Sequence, residues 1–285
     1  MFSMKDIWRL ARRDRLSLIG FFLFAAIIVM ALIGPSLAPY EPLTINRGLD
    51  GKVPILKPPS AEYLLGTNDL GRDIFSQILV GSRTVVIIGL YGALIAAVVG
   101  TILGVISGYY RGHVDNVLQR LVEAAYSIPF EPLAIVIVSI LSPSVWTIIL
   151  AVSLVYWRQA MRVIRTQVLS MRERAFIKSA RVAGASDFRI MLYHITPNIL
   201  PLTFVYLPVA FGNAVLAEAA ISFLGFGDPT SISWGQILRQ AFTKGASIQS
   251  WWWVFSPGLF ITITTASVFF CTRPFEEILN PRLRR

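Results

Sequence analysis

The chain has 285 residues, of which 55% are hydrophobic and only 15% charged, with a formal net charge of +10. Its mean hydropathy is +0.63 and its pI near 10.1, values that place it with multi-span membrane proteins. The basic balance does not point to nucleic acid, because the charge sits in short loops between apolar runs. One cysteine, Cys271, lies in an apolar segment and excludes a disulfide framework. His113 and His194 lack a local metal-ligand pattern. The only Gly-Lys pair, Gly51-Lys52, is followed by Val53, so no P-loop is present and this chain does not bind ATP by that route.

Residues 16–33 are apolar enough to span, since about 20 residues cover the hydrocarbon core. The Ser36-Leu37-Ala38 that follows resembles a signal-peptidase site, but the apolar run is too long for a leader and more spans follow, so it reads as an uncleaved first span. Residues 39–83 are polar and proline-punctuated, with a helix expected over 68–82 that turns Leu70, Ile74, Ile78 and Leu79 one way. The second span is 84–110. In it Gly92, Ala96, Gly100, Gly104 and Gly108 recur every fourth residue, a ridge that lets helix backbones approach closely. A short connection follows at 111–123. The third span, 121–141, is interrupted by Pro129, Glu131 and Pro132, and the fourth, 145–156, is short unless it runs on through Met161.

Residues 171–197 form a basic polar interlude. Wound as a helix, its first half puts Phe176, Ala180 and Ala183 on one face and Arg174, Lys178 and Arg181 on the other. Gly184 is a natural stop, Ser186 or Asp187 can cap a second short helix toward His194, and Pro197 closes the unit. Such a unit reads either as a plug for a partner's groove or as a solvated loop between spans. The fifth span, 195–225, holds Pro197, Pro201, Pro208 and Gly212, where kinks are expected. Residues 234–242 can lie flat on the surface. Trp251, Trp252 and Trp253 read as an interfacial aromatic cluster opening a sixth span to about residue 272.

Six spans put both termini on one side. The N-terminal tail carries +3, residues 158–194 carry +6 and the C-terminal tail +2, against 0 and +1 for the two long loops of the other face. The positive-inside bias therefore makes both termini and the interlude cytoplasmic.

Lys178-Ser179-Ala180 and Gly184, with Ile195 and Pro197 beyond, resemble the EAA loop of ABC-importer permeases. LLGTNDLGRDIFSQILVGSRTVV at 64–86, SIP at 127–129, EAAISFLGFG at 218–227, SWGQIL at 233–238 and NPRLR at 280–284 resemble one branch closely. That branch is the dipeptide/oligopeptide/nickel importer permeases, specifically the second member of the permease pair. The resemblance implies an all-α integral membrane protein of the type I importer fold: an N-terminal region (1–83), then a permease core (84–285) with six transmembrane helices overall and a cytoplasmic EAA coupling helix at about 171–194. It implies a non-catalytic subunit that works with a second homologous permease, two ATPase subunits that bind ATP and Mg, and an extracytoplasmic substrate-binding protein. No cofactor or metal is expected on this chain. Arg174, Phe176, Lys178, Ser179, Ala180, Arg181, Gly184, Ser186 and Asp187 are the expected ATPase-coupling residues. Lys178 stands where the family has glutamate, which suggests an acidic residue in the partner's groove.

For the substrate path the candidates are Glu131 and Glu218, ionisable groups inside spans, with Tyr126, Tyr206 and Phe211. The alternative for Glu218 is a structural hydrogen bond, and for the aromatics, packing. Peptide is the expected cargo, with oligosaccharide or a nickel chelate as alternatives on the same architecture. A secondary transporter or channel without an ATPase is the competing class.

Overall fold

A computed structural model describes residues 14–45, 47, 51–246 and 248–279, with side chains left undescribed at Glu131, Ile248 and 274–279. Nine helices are labelled here: α1 (Arg15–Leu37), α2 (Ile74–Tyr110), α3 (Gly112–Ser127), α4 (Phe130–Leu141), α5 (Val145–Met171), α6 (Ala175–Val182), α7 (Asp187–Phe226), α8 (Trp234–Thr243) and α9 (Trp251–Leu279). Among the described residues the only β pairing is a single bridge between Thr67 and Asp73. Helices α1, α2, α5, α7 and α9 are each long and apolar enough to cross a membrane, and α3 with α4 forms one bent pair.

The second helix is the axis of the fold. Asp73 starts it by accepting hydrogen bonds from Ser76 N (2.8 Å) and Ser76 Oγ (2.6 Å). The expected helix over 68–82 therefore begins six residues late and does not stop before residue 84. Asn68 is the cause: its Oδ1 accepts from the amides of Leu70 and Arg72, both at 2.9 Å, holding 68–72 in a turn. Leu70 is thereby left exposed, while Ile74, Ile78 and Leu79 are buried. At about 1.5 Å per residue, the helix's 37 residues reach well past a ~30 Å hydrocarbon core.

The small-residue ridge of α2 packs on α5. A β-carbon on Gly100 would lie 2.5 Å from the Trp157 carbonyl oxygen, and on Gly104 or Gly108 2.8 Å from those of Met161 and Arg165. The two backbones are thus in direct contact, as small residues permit in lipid. The fourth span does run on, to Met171, from a capping box made by Ser144 and Thr147.

The third span is corrected. Residues 112–127 are helical rather than a connection, and the chain then bends by 93° into α4. Ile128, preceding Pro129, is extended (φ −98°, ψ 122°), the backbone a pre-proline residue favours. With 12 residues, α4 is too short to cross alone.

The prolines of α7 do not break it. Regular α-helix runs through Pro201 and Pro208, and the irregular turns are π-helical, at Ile190–Ile195 and Ser222–Phe226. Pro197 likewise continues the helix instead of closing the unit. The wide turn just before it gives room to a ring that would clash with the preceding carbonyl, and the Thr196 amide and hydroxyl (2.8 Å) both bond to Met191 O.

The tryptophans also divide differently. Trp251 is exposed, but Trp252 and Trp253 are buried, and Trp252 Nε1 donates to Thr67 O (3.3 Å) beneath the 51–73 loop. Helix α8 does not merely rest on a surface: Trp234, Ile237 and Ala241 are buried, and Trp234 Nε1 donates to Ile78 O (3.0 Å). Asp14, which caps α1, approaches Arg273 of α9 at 3.4 Å, so the start of α1 and the later part of α9 lie on one face. That face also carries the ends of α2 and α5 and all of α6, and is called the basic face below.

Candidate coupling site on the basic face

Helix α6 is eight residues long and ends in a glycine turn. Gly184 has φ +83°, with the Ala185 amide donating to Ala180 O (3.0 Å) and the Gly184 amide to Arg181 O (3.0 Å). Of the two expected caps, Ser186 is the one used, its Oγ accepting from Arg189 N (3.4 Å). Asp187 instead reaches back into the bundle.

The side chain that α6 buries most fully, Ile177, belongs to neither of the two faces named from the sequence. Ile177 is 0% exposed and packs with Val105, Ile164 and Ile190, with Ala180 partly buried against the same cluster. Phe176 and Ala183 are exposed. The smaller, branched Ile177, rather than its neighbour Phe176, is what fits between α2, α5 and α7. Exposed beside Phe176 are apolar side chains that the sequence reading did not single out: Val182 (89%), Phe188 (69%) and Tyr193 (68%). Apolar groups left outside on a charged segment mark a contact surface. The available signal was their presence, unpaired, in an otherwise basic stretch.

Tyr109, at the end of α2, holds this unit to the spans. Its Oη donates to Asp187 Oδ1 (2.6 Å) and accepts from Arg181 Nη2 (3.4 Å). Arg172 donates to the Tyr109 carbonyl, and the guanidinium groups of Arg172 and Arg181 lie 5.8 and 5.7 Å from its ring centre. Tyr109 therefore joins α2, the end of α5, α6 and the start of α7. The phenol raises the Arg181 guanidinium pKa further, chiefly by hydrogen bonding to it, which keeps that cation charged throughout. One turn away, Asp115 of α3 accepts from Arg165 Nε and Nη2, both at 2.6 Å, and from Ser107 Oγ.

On the outside of α6, Glu173 pairs with Arg111 (3.1 Å) and Lys178 (3.5 Å). Lys178 thus has an acidic neighbour in its own chain. Arg174 supplies the N-cap position of α6, and Ser179 is exposed.

The substrate-path candidates do not converge. Tyr126, on α3, carries Arg158 and Arg162 with each guanidinium carbon 4.3 Å from its ring centre. Phe211 is buried edge-on to Phe24 at 5.3 Å in the core between α1 and α7. Glu218 is also buried under α8, accepting from Ser222 Oγ (2.6 Å) one turn further along its own helix rather than from a neighbouring one. Tyr206 borders a small recess with Ala96, Tyr156 and Gln159. The side chain of Glu131 lies outside the described residues. Among the described residues no three His, Cys, Asp or Glu side chains gather as a metal site.

Comparison with known proteins follows the same lines. Residues 100–285 match the family described as binding-protein-dependent transport system inner membrane component, and residues 3–59 match the N-terminal TM domain of oligopeptide transport permease C. The dipeptide transport system permease protein DppC of Haemophilus influenzae is 33% identical, over 99% of this chain and 96% of its own length. DppC of Bacillus subtilis is 31% identical, over 99% and 86%. The oligopeptide transport system permease protein OppC of Bacillus subtilis is 30% identical, over 99% and 90%. A chain of the MetNI methionine ABC transporter, solved in inward-facing conformations, superposes with a TM-score of 0.56 at 16% identity, over 70% of this chain and 94% of that one, a likeness of fold. With a family match over the larger part of the chain and relatives aligned from end to end, the protein belongs to the binding-protein-dependent transport system inner membrane components, the multi-pass permeases of ABC importers.

Proposed function

We propose that this permease forms half of a translocation pathway for short peptides, and that the α6–Gly184–α7 corner is where one ATPase subunit docks. The observation that carries the docking reading is the pairing of an anchored inner side with an exposed outer one. Ile177, Arg181 and Asp187 are tied to the spans, while Phe176, Val182, Phe188 and Tyr193 stand out from the same corner. A helix held this way transmits a push to α2, α5 and α7 together. The positive-inside bias supports a cytoplasmic basic face and hence cytoplasmic termini. The peptide reading rests on the names of the end-to-end relatives.

On this reading the chain is not itself an enzyme and binds no cofactor. Two partner ATPase subunits bind ATP and Mg, a second homologous permease completes the path, and an extracytoplasmic binding protein delivers the cargo.

The test is copurification and uptake. Val182→Asp with Phe188→Asp should strip the ATPase from the purified complex and abolish uptake of a labelled dipeptide, while the folded permease pair remains in the membrane. Retained ATPase and undiminished uptake would refute the docking site. Uptake that persists after ATP depletion would favour a secondary transporter.

A further inference from the structure

On the face opposite the coupling corner, a cavity of about 310 Å³ opens between the start of α2, the turn ending α7, and α8. Arg72, Gln77, Ser231, Gln236, Arg239 and Gln240 supply its polar wall. The Asn68 turn and the Asp73 cap fix Arg72 immediately ahead of α2. At the other side Gly225, with φ +102°, turns the chain where a β-carbon would meet the Arg239 guanidinium carbon at 2.8 Å, so that arginine lies flat against glycine backbone.

Two features of this wall call for a ligand. First, among the described residues the two guanidinium groups have no carboxylate within ion-pair distance, unlike Lys57, Arg111, Arg165, Lys178, Lys244 and Arg273, and among the same residues no acidic side chain lines the cavity. Secondly, three buried polar atoms of the lining lack a protein partner: Arg72 Nε, Ser231 Oγ and Gln77 Oε1. Gln77 is 2% exposed, and its Nε2 is committed to Pro42 O (3.0 Å), which orients the amide and leaves Oε1 as a free acceptor. Ser222, also on the wall, already donates to Glu218 and is not counted. Leaving buried polar groups unpaired is costly, and guanidinium groups match two-oxygen anions.

We infer that this cavity is a binding site for a small oxyanion, carboxylate or phosphate, that also carries an N–H or O–H donor. The oxygens meet Arg72 and Arg239, and the donor meets Gln77 Oε1. The end of a short peptide has this chemistry, and so does a phosphate monoanion, free or on a lipid headgroup. At roughly 30 Å³ per water, the volume holds a ligand of several heavy atoms.

The experiment measures binding, not transport, and so stands apart from the peptide-import reading. The full chain, copurified with its partner subunits in phosphatidylcholine nanodiscs, is titrated calorimetrically with glycylglycine, glycylglycinamide and inorganic phosphate. A saturable signal for glycylglycine or phosphate, none for the amide, and a weakening of about tenfold to a hundredfold in Arg72→Gln and Arg239→Gln is the expected result. Loss of that signal in discs containing phosphatidylglycerol identifies a headgroup as the resident anion and also supports the site. Should Arg72→Gln not fold, Arg239→Gln, on the exposed side, carries the test. Absence of binding for every probe in both kinds of disc, or unchanged affinity in the Arg239 variant, means a water-filled cavity and overturns the inference.

Discussion

Tyr109 Oη and Asp187 Oδ1 stand 2.6 Å apart, although 78 positions separate them in the chain. The bond joins the last turn of the central helix to the first residue of α7. A force applied at Gly184 therefore reaches α2 through one hydrogen bond as well as through packing. Tyr109→Phe should keep the ring contacts with Arg172 and Arg181 but free Asp187. We expect a stability loss of about 1 kcal/mol. The informative readout is the ratio of transported cargo to ATP hydrolysed, which should fall while the ATPase stays bound. An unchanged ratio would reduce Tyr109 to a packing residue.

The α2–α5 contact leaves no room for a side chain. Gly100→Val should therefore cost at least about 1–3 kcal/mol through forced separation of the helices, and folded protein recovered in detergent should drop sharply. Gly212→Ala is the control. There the nearest atom to an added β-carbon is 3.8 Å away, an ordinary contact. Thermal unfolding of the two variants should differ clearly, and equal behaviour would contradict the backbone contact.

Asp115 and Arg165 exchange two hydrogen bonds at 2.6 Å with side chains 11% and 25% exposed. Arg165→Lys keeps the charge yet cannot reproduce the fork. Both Arg165→Lys and Asp115→Asn should destabilise by about 1–3 kcal/mol. The double variant should lose less than the sum of the two, which a double-mutant cycle measures.

Asp228 links the loop between α7 and α8 to α5. Its Oδ1 accepts from Thr230 N (2.8 Å) and Oγ1 (2.7 Å), and its Oδ2 from Val145 N (3.1 Å). Burial pushes this carboxyl upward, but the Thr230 and Val145 donors outweigh it and hold it below the ordinary value of 3.8. A lowered carboxylate adds stability that is complete above its unfolded value and disappears as the pH falls through its folded one. The melting temperature should thus decline as the solution is taken below about pH 4, and Asp228→Asn should show a shallower decline together with a lower melting temperature at neutral pH.

How far the sequence could be read differs from helix to helix. The glycine ridge of α2 was legible because helical spacing alone puts those residues on one line, and a line of glycines has a single physical use in lipid. Its start was not, since Asn68 diverts the backbone with its own side chain, a local competition that hydropathy does not register. The coupling turn was legible at Gly184 and Ser186, where φ and capping are decided within a few residues. The inward face of α6 was not. Phe176 and Ile177 are neighbours of similar hydropathy, and only the shape of the gap between α2, α5 and α7 selects the isoleucine.

Apolar length, charge placement and ordered motifs by themselves settled that this is a multi-pass permease with a basic, glycine-turned interlude ahead of its fifth span, because membrane insertion and helix capping depend on residues close together in the chain. Tertiary structure alone decided that Trp252, Trp253 and Phe211 are core, that Tyr109 clamps Asp187, and that Arg72 and Arg239 share one cavity. Those outcomes depend on which surfaces meet between residues 78 or more positions apart, and packing, being non-local, is written in no single stretch.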